Sequence, residues 1–262
     1  MTLDIGLAEQ DTLEQYLQHL LSGDRIAARR LIESLLSQGT TPCKLLSGLI
    51  WQTMELLRAL YREDRITRGQ FNMATLINRA ITDQLGGMLA RKPDNGRTVL
   101  VVCGDDEPEE LGGQICADLF EAEGYRTRFL GGGVPNDEIL KLIGELRPNL
   151  LIFFGTLPSG MPAVRQLIDY LRDVNSCPEM QIMCCGGIYK RAEGLAEEIG
   201  ADLSAPDAAT ALVVARENPT RRATADQQTV GKSRRIRKAA ALRRQPPQPL
   251  SPDHRPADSE AA

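Results

Sequence analysis

The sequence predicts an α/β protein in three parts. These are an N-terminal four-helix bundle over residues 10–91, a doubly wound five-stranded parallel sheet over 98–216, and a disordered basic tail over 217–262. Three observations predict this. Apolar residues recur at helical spacing as far as Leu89. From Thr98 onward, short apolar runs alternate with stretches that read as helices. Beyond residue 216 the chain turns polar, basic and rich in proline.

In the first part, Leu13, Tyr16, Leu17, Leu20 and Leu21 mark one helical face, and Gly23-Asp24 breaks it. Ile26, Leu31, Leu35 and Leu36 mark a second helix, ended by Gly39. Thr41-Pro42 reads as a cap followed by proline in the first turn, opening a third helix to about Leu60. A fourth runs from about Arg68 to Leu89 through Phe71, Leu76, Ile77, Ile81 and Leu85. Short connections make these antiparallel neighbours in a bundle. The polar link RKPDNGR at 91–97 holds both Pro and Gly and marks the domain boundary.

In the second part, TVLVVC, YRTRFL, NLLIFF and QIMCC are the first four strands, and a short fifth lies near Asp202. The helices between them are expected over Gly112–Glu123, Pro135–Leu146, Met161–Asp173 and Lys190–Ile199, with a last one to Arg216. In a sheet of this kind a ligand crevice lies beyond the C-terminal strand ends, between strands one and three. Small residues gather there. Strand one runs into the acidic loop GDDEPEELGG, strand three into GTLPSG, and strand four into Gly186-Gly187. Glycines at three adjacent strand ends let a ligand approach the backbone, although turn geometry alone also asks for them.

Composition excludes several classes. No apolar run approaches the length of a membrane span. The start, MTLDIGLAEQD, lacks a basic region followed by an apolar stretch, so a cytoplasmic protein with reduced thiols is expected. Six cysteines are scattered apart from the adjacent Cys184 and Cys185, and Cys103 joins these two as a strand-end thiol. Their apolar neighbours point to inert, buried groups. Only two histidines, His19 and His254, occur in the chain, which argues against histidine catalysis and multi-histidine metal sites. The tail holds ten Lys/Arg against five Asp/Glu, so of the formal net charge of −4 the first 216 residues carry −9. Lys232, Arg234, Arg235, Arg237, Lys238, Arg243 and Arg244 form its basic cluster. That cluster is either a solubilising segment or a patch for nucleic acid or an anionic partner.

Taken together, these strand-end motifs resemble the cobalamin-binding domain family, a flavodoxin-like module that often follows a small helical bundle. The resemblance covers about residues 10–216. It rests on Glu107-Pro-Glu109-Glu-Leu-Gly112, then Gly155-Thr156-Leu157, then Gly186-Gly187, separated by 42 and 28 residues. VPNDEIL at 134–140 and GADLSAPDAATAL at 200–212 match the family's second-helix start and closing strand and helix. The resemblance implies that cobalamin's nucleotide tail enters the crevice, bordered by these residues.

The departures from the family pattern fall on the chemistry. Glu109 stands where the family's lower cobalt ligand is histidine, and carboxylate is a harder, weaker donor to such a centre. Gly155 stands where a serine contacts the nucleotide base, with the Thr156 hydroxyl next door. Tyr61, Phe71 and Asn72 occupy the positions of the Trp, Glu and His that face the upper side of the corrin in light-sensing relatives. Trp51 and Phe71 are bundle aromatics able to cap a corrin, core packing being the simpler reading of each. Either cobalamin keeps its own base or uses Glu109, or the pocket has lost the cofactor.

The resemblance is to cobalamin-dependent regulators, and implies a corrinoid-binding sensor acting on transcription through a partner protein or DNA. The alternatives are a cofactor-free interaction module using the same fold and basic tail, and a corrinoid carrier for methyl transfer. The missing histidine counts against the carrier. No catalytic constellation occurs, so an enzyme acting alone is not expected. A phosphorylation receiver shares the topology, and Asp105-Asp106 imitate its Mg²⁺ pair. It needs an aspartate at the end of strand three, where this chain has Phe153-Phe154-Gly155-Thr156.

Overall fold

The computed structural model describes residues 7–104, 107–175 and 177–220. Helices α1 (Leu7–Ser22) and α2 (Arg25–Ser37) are joined by a tight turn at Gly23. Asp24 caps α2 by accepting from the Ala27 N–H at 2.9 Å. The third helical stretch is longer and less regular than the sequence suggests. It comprises α3 (Pro42–Lys44), a π-helical segment over Leu45–Ile50 and α4 (Trp51–Arg62), running on without a break. Helix α5 (Arg68–Gly87) opens with a reciprocal capping box between Thr67 and Gln70.

The link to the sheet is fastened rather than loose. Lys92 N–H donates to the Ala122 carbonyl at 2.8 Å and Asn95 N–H to Gly124 at 2.9 Å. Lys92–Glu123 and Arg126–Asp94 ion pairs, both at 2.7 Å, flank it.

The strands are β1 (Thr98–Cys103), β2 (Arg126–Gly131), β3 (Leu150–Phe154), β4 (Gln181–Cys185) and β5 (Leu203–Ala205). They form one all-parallel sheet in the order β2-β1-β3-β4-β5, the flavodoxin-like arrangement. Alternation along the strands feeds two cores. Val99, Val101, Leu150, Ile152, Phe154, Met183 and Cys185 face one side, where α6 (Glu107–Ala122) and α11 (Ala208–Glu217) pack. Leu100, Val102, Leu151, Phe153, Ile182 and Cys184 face α7 (Asn136–Leu146) and α8 (Met161–Val174) on the other. The first core runs without interruption into the bundle through Trp51, Leu57, Ile77, Ile81 and Leu85. Burial of that shared apolar surface is what docks the bundle on the sheet.

Two helices depart from the sequence expectation. Helix α6 begins at Glu107, so Gly112 lies inside it rather than at its start. A proline at position 108, the second residue of the helix, is compatible with a first helical turn. The expected helix over Lys190–Ile199 is instead two short pieces, α9 (Gly187–Arg191) and α10 (Leu195–Glu198). Gly194, at φ +79°, interrupts them with a conformation other residues rarely adopt.

Candidate functional site

Two cavities open at the C-terminal ends of β1, β3 and β4. The larger, about 560 Å³, is the crevice between β1 and β3, walled by the N-terminal ends of α7 and α8. Val102, Cys103 and Gly104 line it from β1, and Phe153, Phe154, Gly155 and Leu157 from β3. Ile139 and Leu167 form part of its wall deeper in the second core. Gly133, Asn136, Gly160 and Ala163 also border it, and Asn136 Nδ2 donates to the Ala163 carbonyl at 3.4 Å, joining α7 to α8. This is the switch point, where the connections from β1 and β3 leave in opposite directions along the sheet.

The smaller cavity, about 220 Å³, lies between α4 of the bundle and the β3 and β4 ends. Trp51, Met54, Glu55, Arg58 and Arg62 line it from the bundle, and Thr156, Gly187, Lys190 and Arg191 from the sheet side. Phe154 borders both cavities. Its ring meets Trp51 edge-on, with centroids 5.8 Å apart. The π-helical turn ends directly before Trp51, and such wide turns recur at functional sites.

The residues singled out in the sequence divide by position. Gly155 and Leu157 line the crevice, and Thr156 and Gly187 the smaller cavity. Gly112 and Gly186 line neither; their missing side chains make room for protein. A Cβ on Gly112 falls 2.4 Å from Phe154 Cζ, and one on Gly186 2.4 Å from the Gly155 carbonyl oxygen. Tyr61 and Phe71 stack on each other at 4.7 Å, Asn72 is exposed, and none of the three lines either cavity. The bundle residues that line the smaller cavity lie on α4, from Trp51 to Arg62. Asp105, Asp106, the side chains of Glu107 and Glu109, and the tail cluster from Lys232 to Arg244 lie outside the described residues.

Sequence reading missed the two connections that shape this end of the fold. Glu110 accepts from the Gly132 N–H at 3.1 Å and pairs with Arg79 of α5 at 3.4 Å. It thereby ties the loop after β2 to the bundle. Lys190 reaches Glu55 of α4 at 3.4 Å across the smaller cavity. Neither pair belongs to a local motif, and only the three-dimensional fold brings its members together.

No disulfide joins the six cysteines. A hydrogen bond with Cys116, together with full burial, pushes the Cys185 thiol well up, and burial pushes Cys184 up to about 12. Both stay protonated and unreactive at neutral pH. His19 is half-buried in a groove between α1 and α2, remote from the strand ends. Among the described residues, no three His, Cys, Asp or Glu side chains converge on a metal site. No described helix is long and apolar enough to cross a membrane.

With this geometry in hand, comparison with known proteins is informative at the level of fold. No family model and no curated protein matches the sequence. Among solved structures, the monomethylamine corrinoid protein of Methanosarcina barkeri superposes with a TM-score of 0.69 at 18% identity, over 79% of this chain and 98% of that one. This chain has the corrinoid-protein fold. A cobalamin-binding protein of Desulfitobacterium hafniense (19% identity, 78% and 97% covered) matches at a TM-score of 0.43. The methanol:cobalamin methyltransferase complex of Methanosarcina barkeri (18%, 87% and 85%) also matches at 0.43.

The residues at the crevice fit the part of a corrinoid that the corrinoid-protein fold leads one to expect there. A slot whose described lining is uncharged, with glycine backbone at its rim and apolar side chains at its floor, accepts a flat, weakly polar ring. The described lining brings no imidazole to the slot.

Proposed function

We propose that this protein binds a corrinoid and serves as a regulatory, non-catalytic cobalamin sensor. The observation that carries the reading is the glycine-rimmed crevice at the β1/β3 switch point, whose described lining is uncharged, in a sheet on whose other face a four-helix bundle packs. Gly155, Leu157, Gly160 and Ala163 would border the inserted tail, and Trp51 and Met54 would face the ligand from the bundle. Bound cobalamin supplies a cobalt centre whose upper ligand responds to light or to chemical exchange. The protein's part is to hold the tail, exclude water with the Trp51–Phe154 pair and transmit occupancy to the bundle. The sensor role is favoured over a carrier because no histidine is among the described residues lining the slot and Glu109 stands at the family's histidine position. Lys232, Arg234, Arg235, Arg237, Lys238, Arg243 and Arg244 would carry the output to nucleic acid or an acidic transcription factor. A methyl-carrier role is the second reading, favoured by a superposition that takes in 98% of the monomethylamine corrinoid protein.

The test is to mix the full chain with hydroxocobalamin, and in the dark with adenosylcobalamin, then desalt and record the visible spectrum. About one equivalent of corrin is expected to remain in at least one case, and Ala163→Trp, which plugs the crevice mouth, is expected to lose it. A colourless protein in both trials overturns the corrinoid reading. DNA affinity measured with and without cobalamin separates the two roles. A salt-sensitive affinity that changes with the cofactor marks the sensor, and cofactor-independent affinity leaves the carrier.

A further inference from the structure

The smaller cavity carries basic chemistry that the described lining of its larger neighbour does not. None of the described residues lining the crevice is charged. Beside it, across Phe154, the described lining of the smaller cavity holds Arg58, Arg62, Lys190 and Arg191 together with the carboxylate of Glu55. It sits in a stretch of sequence, residues 1–216, that carries a formal −9, so four cations around one hollow run against the average. Lys190 and Glu55 are 3.4 Å apart with side chains 57% and 44% exposed, a pair weak enough for an entering anion to rearrange. Arg191 donates Nη2 to the Thr156 carbonyl, which holds its guanidinium at the cavity edge with donors to spare. The two hollows meet at the end of β3, with Gly155 in one and Thr156 in the other. One ligand can therefore occupy both, with its tail in the crevice and an anionic ring-edge group among the basic side chains.

We propose that the smaller cavity is a carboxylate subsite, and that the corrinoid this protein selects is an acidic one. Such a corrinoid bears a free carboxylate at the ring edge where fully amidated cobalamin carries a neutral amide. Arginine and lysine bind a carboxylate through charge-assisted hydrogen bonds that an amide does not form. The proposal rests on the corrinoid reading and narrows it to a substrate class.

The experiment titrates the full chain with hydroxocobalamin and with hydroxocobalamin whose ring-edge amide has been hydrolysed to the acid. In parallel, citrate is added to corrinoid-free protein while the emission of Trp51, the sole tryptophan, is followed. The acid form is expected to bind at least about tenfold tighter, with the preference shrinking as salt rises. The preference should vanish in the R62Q/K190Q double variant and grow in Glu55→Gln, which removes the competing carboxylate. Gain of affinity in the latter is a result that misfolding cannot produce. Equal affinity for the two forms, unchanged by Glu55→Gln, overturns the carboxylate subsite and leaves the corrinoid reading standing. If neither corrinoid is retained while citrate changes Trp51 emission and R62Q/K190Q abolishes that change, the subsite stands as a carboxylate site and the corrinoid reading falls. If citrate also leaves the emission unchanged, both fall.

Discussion

Gly186 lies so close to Gly155 that a Cβ built on it comes within 2.4 Å of the Gly155 carbonyl oxygen and 3.3 Å of its nitrogen. Gly155 N–H donates to Cys185 and Gly186 N–H to Ala205, so the two glycines extend the sheet by one rung past β3 and β4. Gly186 also holds φ at +112° and ψ at 178°, a region nearly confined to glycine. Gly186→Ala is therefore expected to cost about 3 kcal/mol or more, because the obstacle is backbone and cannot yield. At Gly155 the corresponding Cβ meets the flexible Met161 methyl at 3.2 Å and Ile188 Cγ2 at an ordinary 3.8 Å. Gly155→Ala should cost about 1 kcal/mol or less. Urea denaturation of the two variants checks the contrast, and equal losses would refute this account.

Gly112 and Phe154 form a second close pair. A Cβ on Gly112 would sit 2.4 Å from Cζ of a ring that is itself edge-on to Trp51 and nearly fully buried. Gly112→Ala should displace the ring at a cost of roughly 1–3 kcal/mol and shift Trp51 emission. Phe154→Leu, made in the Gly112→Ala background, should cost less than it does alone, since the shorter side chain vacates the contested space. A double-mutant cycle by chemical denaturation reads the coupling; additive losses would count against contact between these positions.

The fold was legible because alternation along TVLVVC, NLLIFF and QIMCC translates directly into two buried faces, and the helical spacing between them leaves parallel crossovers as the economical topology. The site was legible only in part. Spacing placed Gly155, Thr156, Leu157 and Gly187 at the mouths of the two hollows. It did not reveal whether an absent Cβ opens space to a ligand or to protein, and at Gly112 and Gly186 it is protein. Spacing also did not show that Tyr61 of α4 and Phe71 of α5 stack on each other, a contact that only the packing of the two helices creates. The basic hollow had no local signature: Glu55 and Lys190 are 135 residues apart, and only docking of α4 on the β4 end joins them.

The strand ends opposite the site are held by a shielded ion pair. Arg172 of α8 meets Asp202 at 2.5 Å with side chains only 13% and 9% exposed, and Asp202 also accepts from the Ile182 N–H at 2.7 Å. Arg172→Leu strands a carboxylate in apolar surroundings, and a loss of about 3 kcal/mol is expected. Because the pair lies at the far end of the sheet, cobalamin retention by the variant that still folds should be unchanged. A thermal melt and the desalting assay together check this. A loss of retention without a loss of stability would contradict the assigned location of the site.

Asp118 supplies a pH-dependent contribution at the seam between bundle and sheet. It projects from α6 against Gly86, near the end of α5, where a Cβ would fall 2.8 Å from its Oδ2. Burial, followed by the charges of Glu121 and Asp83, raises its pKa to about 6 despite the opposing influence of Arg91. The negative end of α5 disfavours the same charge. An unfolded aspartate titrates near 3.8, so between that value and about 6 the folded protein binds the extra proton. Stability therefore falls as pH rises through this window, and the penalty is complete above it. Asp118→Asn removes the titration. Partial solvent access holds its gain at pH 7.5 to about 1 kcal/mol, a rise in Tm of roughly 2–4 °C, and the gain should shrink to nothing near pH 4. Melting curves of both proteins from pH 4 to pH 8 give the difference directly, with other groups cancelling. A gain that is constant across the range would show that Asp118 acts through packing and not through its charge.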